Sequence, residues 1–199
     1  MTDDNRDRIE IPEHESHRER IRKWIKALFI CEIVQLVISI TDFLPLLSVV
    51  TSIVVIVAMF QLAVVNDCYK KAGVFYCIAT AGGFVSGLIQ VGIFSLFILG
   101  FAICALIAKY YELNAHSELT GPMDEKLSDR WDSLFGLELV SGILAVCIAV
   151  VPAFIAALAE ADSKVISLIT TGIISLVNIV IELLYVIYMK QTLDLFKQE

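Results

Sequence analysis

Residues 72–108 read AGVFYCIATAGGFVSGLIQVGIFSLFILGFAICALIA, a stretch without a single charge. How this run is divided decides the fold. As one helix rising 1.5 Å per residue it would be about 55 Å long, far more than a hydrocarbon core about 30 Å thick. Two short helices are the better division. The break is expected at Gly87-Leu88-Ile89-Gln90-Val91-Gly92, where two glycines and a glutamine weaken a helix. The resulting hairpin, 73–88 and 91–108, either spans fully twice or is partly re-entrant.

Outward from this run the pattern repeats. Residues 24–40 form an apolar run that Asp42 and Pro45 interrupt, and 46–65 form a second, ended by Asn66-Asp67-Cys68-Tyr69-Lys70-Lys71. Proline is tolerated in a first helical turn and not in an interior, so Pro45 opens the second run. Two further runs, 134–158 and 165–189, flank the short polar connection 159–164. The sum is an all-α polytopic membrane helical bundle, six transmembrane spans arranged as three hairpins.

Charge placement tests that count. Of fifteen lysines and arginines, fourteen fall on one side of a six-span arrangement, and only Lys164 falls on the other. The positive-inside rule then places both termini in the cytoplasm. Five spans would put Lys190 and Lys197 outside and spoil the pattern. Composition agrees. The chain of 199 residues is 58% hydrophobic and 19% charged, with net charge −7, against about 25% charged in soluble domains. A soluble globular domain, a disordered chain and a nucleic-acid binder with a basic face are excluded. The expected setting is the cell membrane, multi-pass, with the lipid bilayer as first partner.

Three segments lie outside the spans. Residues 1–23 are expected to begin disordered and end as an amphipathic helix, either lying on the inner membrane surface or extending into solvent. Residues 109–130 are expected to be a cytoplasmic loop, broken at Thr120-Gly121-Pro122, with Ser128 as helix N-cap. Residues 191–199 are a cytoplasmic tail. The opening residues carry neither a signal-peptide pattern nor the glycine that myristoylation requires, since the second residue is Thr2. A faint internal match links hairpins one and three: Leu28-Phe29-x-x-Glu32-x-Val34 against Leu134-Phe135-x-x-Glu138-x-Val140, each preceded by a tryptophan, Trp24 or Trp131. Duplication and chance both produce such a match.

Motifs for catalysis fail. The three histidines, His14, His17 and His116, fall in segments expected to be cytoplasmic, so no intramembrane His-Glu-x-x-His site, Ser-His pair or haem ligation is available. The five cysteines show no CxxC or Cys/His spacing. The expectation is no enzyme, no metal and no cofactor.

What remains is polar residues at membrane depth. Charges there are costly, about 2.5–3.5 kcal/mol at mid-span, and face a bundle interior. Glu32, Gln35, Ser39 and Asp42 share one face of the first helix. Thr80, Gly83, Gly87 and Gln90 share one face of the third, and Glu138 and Ser141 lead a stripe on the fifth. Thr171, Ser175, Asn178, Glu182 and Tyr185 form the longest stripe, on the sixth. Glu32, Glu138 and Glu182 come to similar depth in the inner half, and no lysine or arginine is expected beside them.

The candidate polar path is therefore Glu32, Gln35, Ser39, Glu138, Ser141, Asn178 and Glu182. Two readings follow. One is a small channel or transporter for a cation, proton or small solute. The other is a non-transporting assembly, regulatory or immunity-type protein, in which the stripes hold helices together and a protein partner or a second copy binds elsewhere. Gly82-Gly83-x-x-x-Gly87 allows close helix approach, within the chain or between copies.

Six spans, cytoplasmic termini and about two hundred residues resemble the substrate-binding subunits of energy-coupling vitamin importers. The resemblance covers architecture alone. The outer connections 41–45, 88–92 and 159–164 are too short for a lid, and that family's Ala-x-x-x-Ala docking motif is absent from the first helix. No residue role carries over.

Overall fold

The computed structural model describes residues 13–41, 45–88, 94–159 and 163–197, with side-chain surroundings over 17–40, 47–85, 100–143 and 172–197. The described chain is all-α: α1 Glu13–Thr41, α2 Pro45–Leu62, α3 Asp67–Leu88, α4 Phe94–Thr120, α5 Glu125–Ala159 and α6 Ser163–Leu195. Of the expected break at 87–92, Gly87 and Leu88 are still helix in α3; residues 89–92, Gln90 among them, lie outside the described residues, as do Asp42, the surroundings of Gly87 and the side chain of Thr171.

Each helix packs on its neighbours in sequence, and α1 also packs on α6. Six helices thus close into a ring, with α3 against α4 as its tightest pair. Two features explain that tightness. Gly82 is buried, and a methyl group added there would sit 2.1 Å from Cγ of Phe101 on α4. Phe75 of α3 stacks on Tyr111 of α4 at 6.0 Å. The close approach in the glycine motif therefore rests on Gly82 and is intramolecular, whereas Gly83 faces open space.

Among the described residues the core gathers at one end of the ring. Ile21, Ile25 and Leu28 of α1 meet Val55, Met59 and Leu62 of α2; Leu127, Trp131 and Leu134 of α5 meet Ile181, Tyr185 and Met189 of α6. Spacings of three and four place each set on one helix face. The matched positions of the internal repeat share this environment, since Leu28 and Leu134 are both fully buried. The two tryptophans differ: Trp131 is buried and Trp24 only half so.

Three expectations are corrected. Residues 109–130 are not a loop, because α4 continues to Thr120 and α5 begins at Glu125. Nothing between Lys109 and Thr120 breaks a helix, and the buried Leu113 and Ala115 give its last turns a core face. The α5 N-cap is Asp124, whose Oδ1 accepts the Leu127 amide at 3.1 Å; Ser128 instead hydrogen-bonds Ser117 at 2.8 Å. Residues 191–199 do not begin a free tail, since helix runs to Leu195 and Leu193 and Phe196 are buried in the core. The expected helix over residues 13–23 is present and runs directly into α1 as a helical extension, with Ile21 joining the same core.

Membrane character is legible in part. Among the described residues one helix, Gly172–Leu195, is long and apolar enough to cross a bilayer, and Leu47–Leu62 is a shorter apolar helix. The most apolar window of Gly172–Leu195 has a mean hydropathy of 2.1, yet only 17% of it is buried within the protein.

Gly82 yields a direct test. Gly82→Ala gains about 1 kcal/mol of helix propensity but forces the Phe101 ring aside, and overpacking of this kind costs about 1–3 kcal/mol. The variant is expected to unfold at lower temperature than the parent. Gly83→Ala, with open space before it, is expected to be neutral or stabilised. Equal behaviour of the two variants in thermal unfolding would remove the close-packing account.

Candidate functional site

The ring is plugged near its core end by a buried polar cluster built on α4. Lys109, Glu112, His116 and Thr120 recur at intervals of three and four residues, so they share one face of that helix. Glu112 is fully buried and carries the cluster. Its Oε2 accepts a hydrogen bond from the Tyr76 hydroxyl of α3 at 2.5 Å, and its Oε1 one from the Tyr185 hydroxyl of α6 at 2.6 Å. The Lys109 ammonium lies 3.2 Å from Oε2 and 3.7 Å from the centroid of the Tyr185 ring.

His116, also fully buried, extends the cluster away from Lys109. Nδ1 is 2.9 Å from the Tyr69 hydroxyl and Nε2 is 3.3 Å from the Tyr185 hydroxyl. Tyr185 has one hydroxyl proton, and the short contact assigns it to Glu112. Nε2 must then be the N–H donor, and Nδ1 accepts from Tyr69. The bonds therefore all point one way, from Tyr69 through His116 and Tyr185 to Glu112. Trp131 of α5 stacks on the imidazole at 4.7 Å, and its Nε1 donates to Thr192 Oγ1 of α6 at 3.2 Å. No buried side-chain nitrogen or oxygen among the described residues lacks a partner.

Burial holds His116 neutral. It pushes the imidazole down to about 4, against the upward pull of Glu112, while Lys109 adds to the depression. For Glu112, burial pushes the carboxyl up, but the Lys109 ammonium and the two tyrosine hydroxyls outweigh it and leave the group below the ordinary carboxylate range.

Beyond the plug lies a cavity of about 430 Å³. Four of the sequence-predicted residues line it, namely Glu138, Ser141, Asn178 and Glu182, together with Lys109 and Tyr76 from the plug. Ser141 donates to Asn178 Oδ1 at 2.8 Å, tying α5 to α6. Ser39 donates to Glu182 Oε2 at 2.9 Å, tying α1 to α6 across the ring's closure. Glu32 is half-buried and lies within electrostatic reach of Lys109, Glu112, Glu182 and Glu138. Gln35, also half-buried, is not among the cavity's lining residues.

One expectation about this site is overturned. The carboxylates do have a basic neighbour, because Lys109 shares the cavity with Glu138 and Glu182. Assigning residues 109–130 to a loop hid this, and it hid His116 and Glu112 as well. The usable signal was the helical spacing of Lys109, Glu112 and His116 ahead of the break at Gly121-Pro122. No signal in sequence pointed to Tyr69 or Tyr76 as their partners.

Chemically, the cavity presents Glu138 and Glu182 with an amide and a hydroxyl between them. The charge of Lys109 is already engaged by Glu112. The excess is negative, which suits a cation or a proton. Among the described residues no group of three His, Cys, Asp or Glu side chains is placed to hold a metal ion. No family model, curated protein or solved structure matches the chain.

The neutral imidazole sets a pH dependence. His116 is protonated more readily in the unfolded chain, with an ordinary pKa of 6.5, than in the fold, at about 4. Between these values the unfolded state binds more protons, so stability falls as pH drops from 6.5 towards 4. The full effect is on the order of 3 kcal/mol. Glu112 adds a loss of the same sign at lower pH. Thermal unfolding followed from pH 7.5 to 4.5 is expected to show this decline, and His116→Gln to flatten it. Parallel pH profiles for the two proteins would show that His116 does not titrate with unfolding.

Proposed function

We propose that the chain is an integral membrane protein that crosses the bilayer six times, with both termini in the cytoplasm, and carries a small cation or protons through its ring. The spans are 24–40, 46–65, 73–88, 91–108, 134–158 and 165–189. The plug of Glu112 and His116 then lies at the cytoplasmic end, below the spans. Large apolar side chains on the outside of the ring support the membrane setting. Val37, Ile40, Val50, Ile53, Val64, Leu176 and Val180 are each at least half exposed. Such a surface is costly in water and ordinary in lipid.

The observation that carries the transport reading is the cavity lined by both Glu138 and Glu182, whose one lysine, Lys109, is paired with Glu112. Intramembrane carboxylates that face a cavity mark ion and proton pathways. The sealed plug beneath it makes an open channel the poorer description. A carrier, whose two sides open in turn, fits a cavity closed at one end.

A second reading has its own support. Every buried polar side-chain atom among the described residues is satisfied inside the protein. A non-transporting assembly or regulatory protein needs no more than that, with Ser39–Glu182 and Ser141–Asn178 acting as helix glue.

Two experiments address these proposals. A topology reporter fused at Glu199 is expected to read as cytoplasmic, and an external reading would remove the six-span arrangement. In proteoliposomes, uptake of methylammonium and of protons is expected to fall at least tenfold in Glu182→Gln, which keeps the shape and the Ser39 hydrogen bond but removes the charge. Uptake equal to the parent's for both probes would leave the helix-glue reading standing, with interhelical bonds of about 0.6–2 kcal/mol.

A further inference from the structure

A second concavity, unrelated to the polar path, lies between α1 and the end of α2. Its volume is about 750 Å³, and Arg20, Arg22, Lys23 and Lys26 line it with Trp24. Glu19 is the one carboxylate in the lining, so four cations face a single acid in a chain whose net charge is −7. The Arg20 guanidinium donates to Gln61 Oε1 at 2.7 Å, which fixes the two walls relative to each other. Among the described residues no ion pair involves Arg22, Lys23 or Lys26. Lys23 lies 5.6 Å from the Trp24 ring, so charge and an amphipathic ring occupy the same wall.

We infer that this groove binds the phosphate of an anionic lipid headgroup. The inference rests on the membrane setting proposed above and is independent of transport. Trp24 opens the first span and Gln61 nears the end of the second, so the groove falls at headgroup level, where tryptophan is favoured. Arg22, Lys23 and Lys26 leave the groove with a surplus of positive charge that favours a headgroup of net negative charge, and basic pockets at the cytoplasmic ends of membrane helices are suited to such headgroups. A phosphate dissolved in water offers the same oxyanion but nothing for the tryptophan.

The test uses the full chain purified in a nonionic detergent, titrated separately with short-chain phosphatidylglycerol, phosphatidylcholine of the same chain length, and inorganic phosphate. Phosphatidylglycerol is expected to raise the unfolding temperature by about 5 °C near saturation, and phosphatidylcholine to leave it unchanged. The triple variant Arg22→Gln, Lys23→Gln, Lys26→Gln is expected to unfold with the parent in phosphatidylcholine and to lose the phosphatidylglycerol shift. An equal shift from both lipids, or a shift retained in the triple variant, overturns the site. An equal shift from inorganic phosphate alone overturns the lipid assignment in favour of a free phosphate ligand. Recovery of the chain without detergent defeats the membrane setting itself, which separates that failure from failure of the groove in a protein that does need detergent.

Discussion

Everything at the packed end of the ring is arranged around one buried carboxylate. Glu112 is held by a hydroxyl from α3, a hydroxyl from α6 and the ammonium of its own helix. An ionised carboxyl in such surroundings is tolerable only while its partners stay in place. That requirement fixes the distances of α3 and α6 from α4 more tightly than apolar contact does, because hydrogen bonds fail over a few tenths of an ångström and oil-like contacts do not. His116 then locks the same two helices a turn further on, and Trp131 brings in the fifth. Three other helices are thus referenced to one short stretch of α4.

The described molecule has two unlike ends. At one, side chains interdigitate and no buried polar atom is left over. Towards the other, a cavity opens between α4, α5 and α6, and polar groups line it without filling it. Charge follows the same division. Lys109 is committed to Glu112 of the plug, so Glu138 and Glu182 line the cavity without an ion pair to it. The plug thereby does electrostatic as well as steric work: by keeping Lys109 occupied it preserves the negative character of the space beyond.

The division of residues 72–108 into two helices was legible because glycine and glutamine weaken a helix in a way that composition reveals. The polar faces of α5 and α6 were readable because a carboxylate in an apolar run has few places to point, whereas Glu32, Gln35 and Ser39 of α1 are not among the residues that line the cavity. Glu138, Ser141, Asn178 and Glu182 indeed meet at one cavity. The plug was not legible, since Lys109-Tyr110-Tyr111-Glu112 reads as ordinary interfacial sequence and charge alone suggested solvent. Only the convergence of Tyr76, Tyr185 and Tyr69 turns that segment into an interior, and they come from helices that sequence spacing does not relate to α4. Ser128 misled as an N-cap because Asp124, just before the helix, is the better one and Ser117 claims the serine.

The closure of the ring between α1 and α6 has a consequence for how the molecule comes into being. Most of its extensive helix interfaces join consecutive helices and can form as the chain is made. One joins the first helix of the ring to the sixth, through pairs such as Ser39 with Glu182, 143 residues apart. Loop closure over that distance carries the largest entropic cost among these interfaces. Until α6 arrives, Glu112 lacks the Tyr185 hydroxyl and Ser39 lacks its acceptor, so the partial ring is an open arc with its polar lining unpaired. Assembly is therefore a clasp, and the final helix is both its last-made part and the one that shuts it.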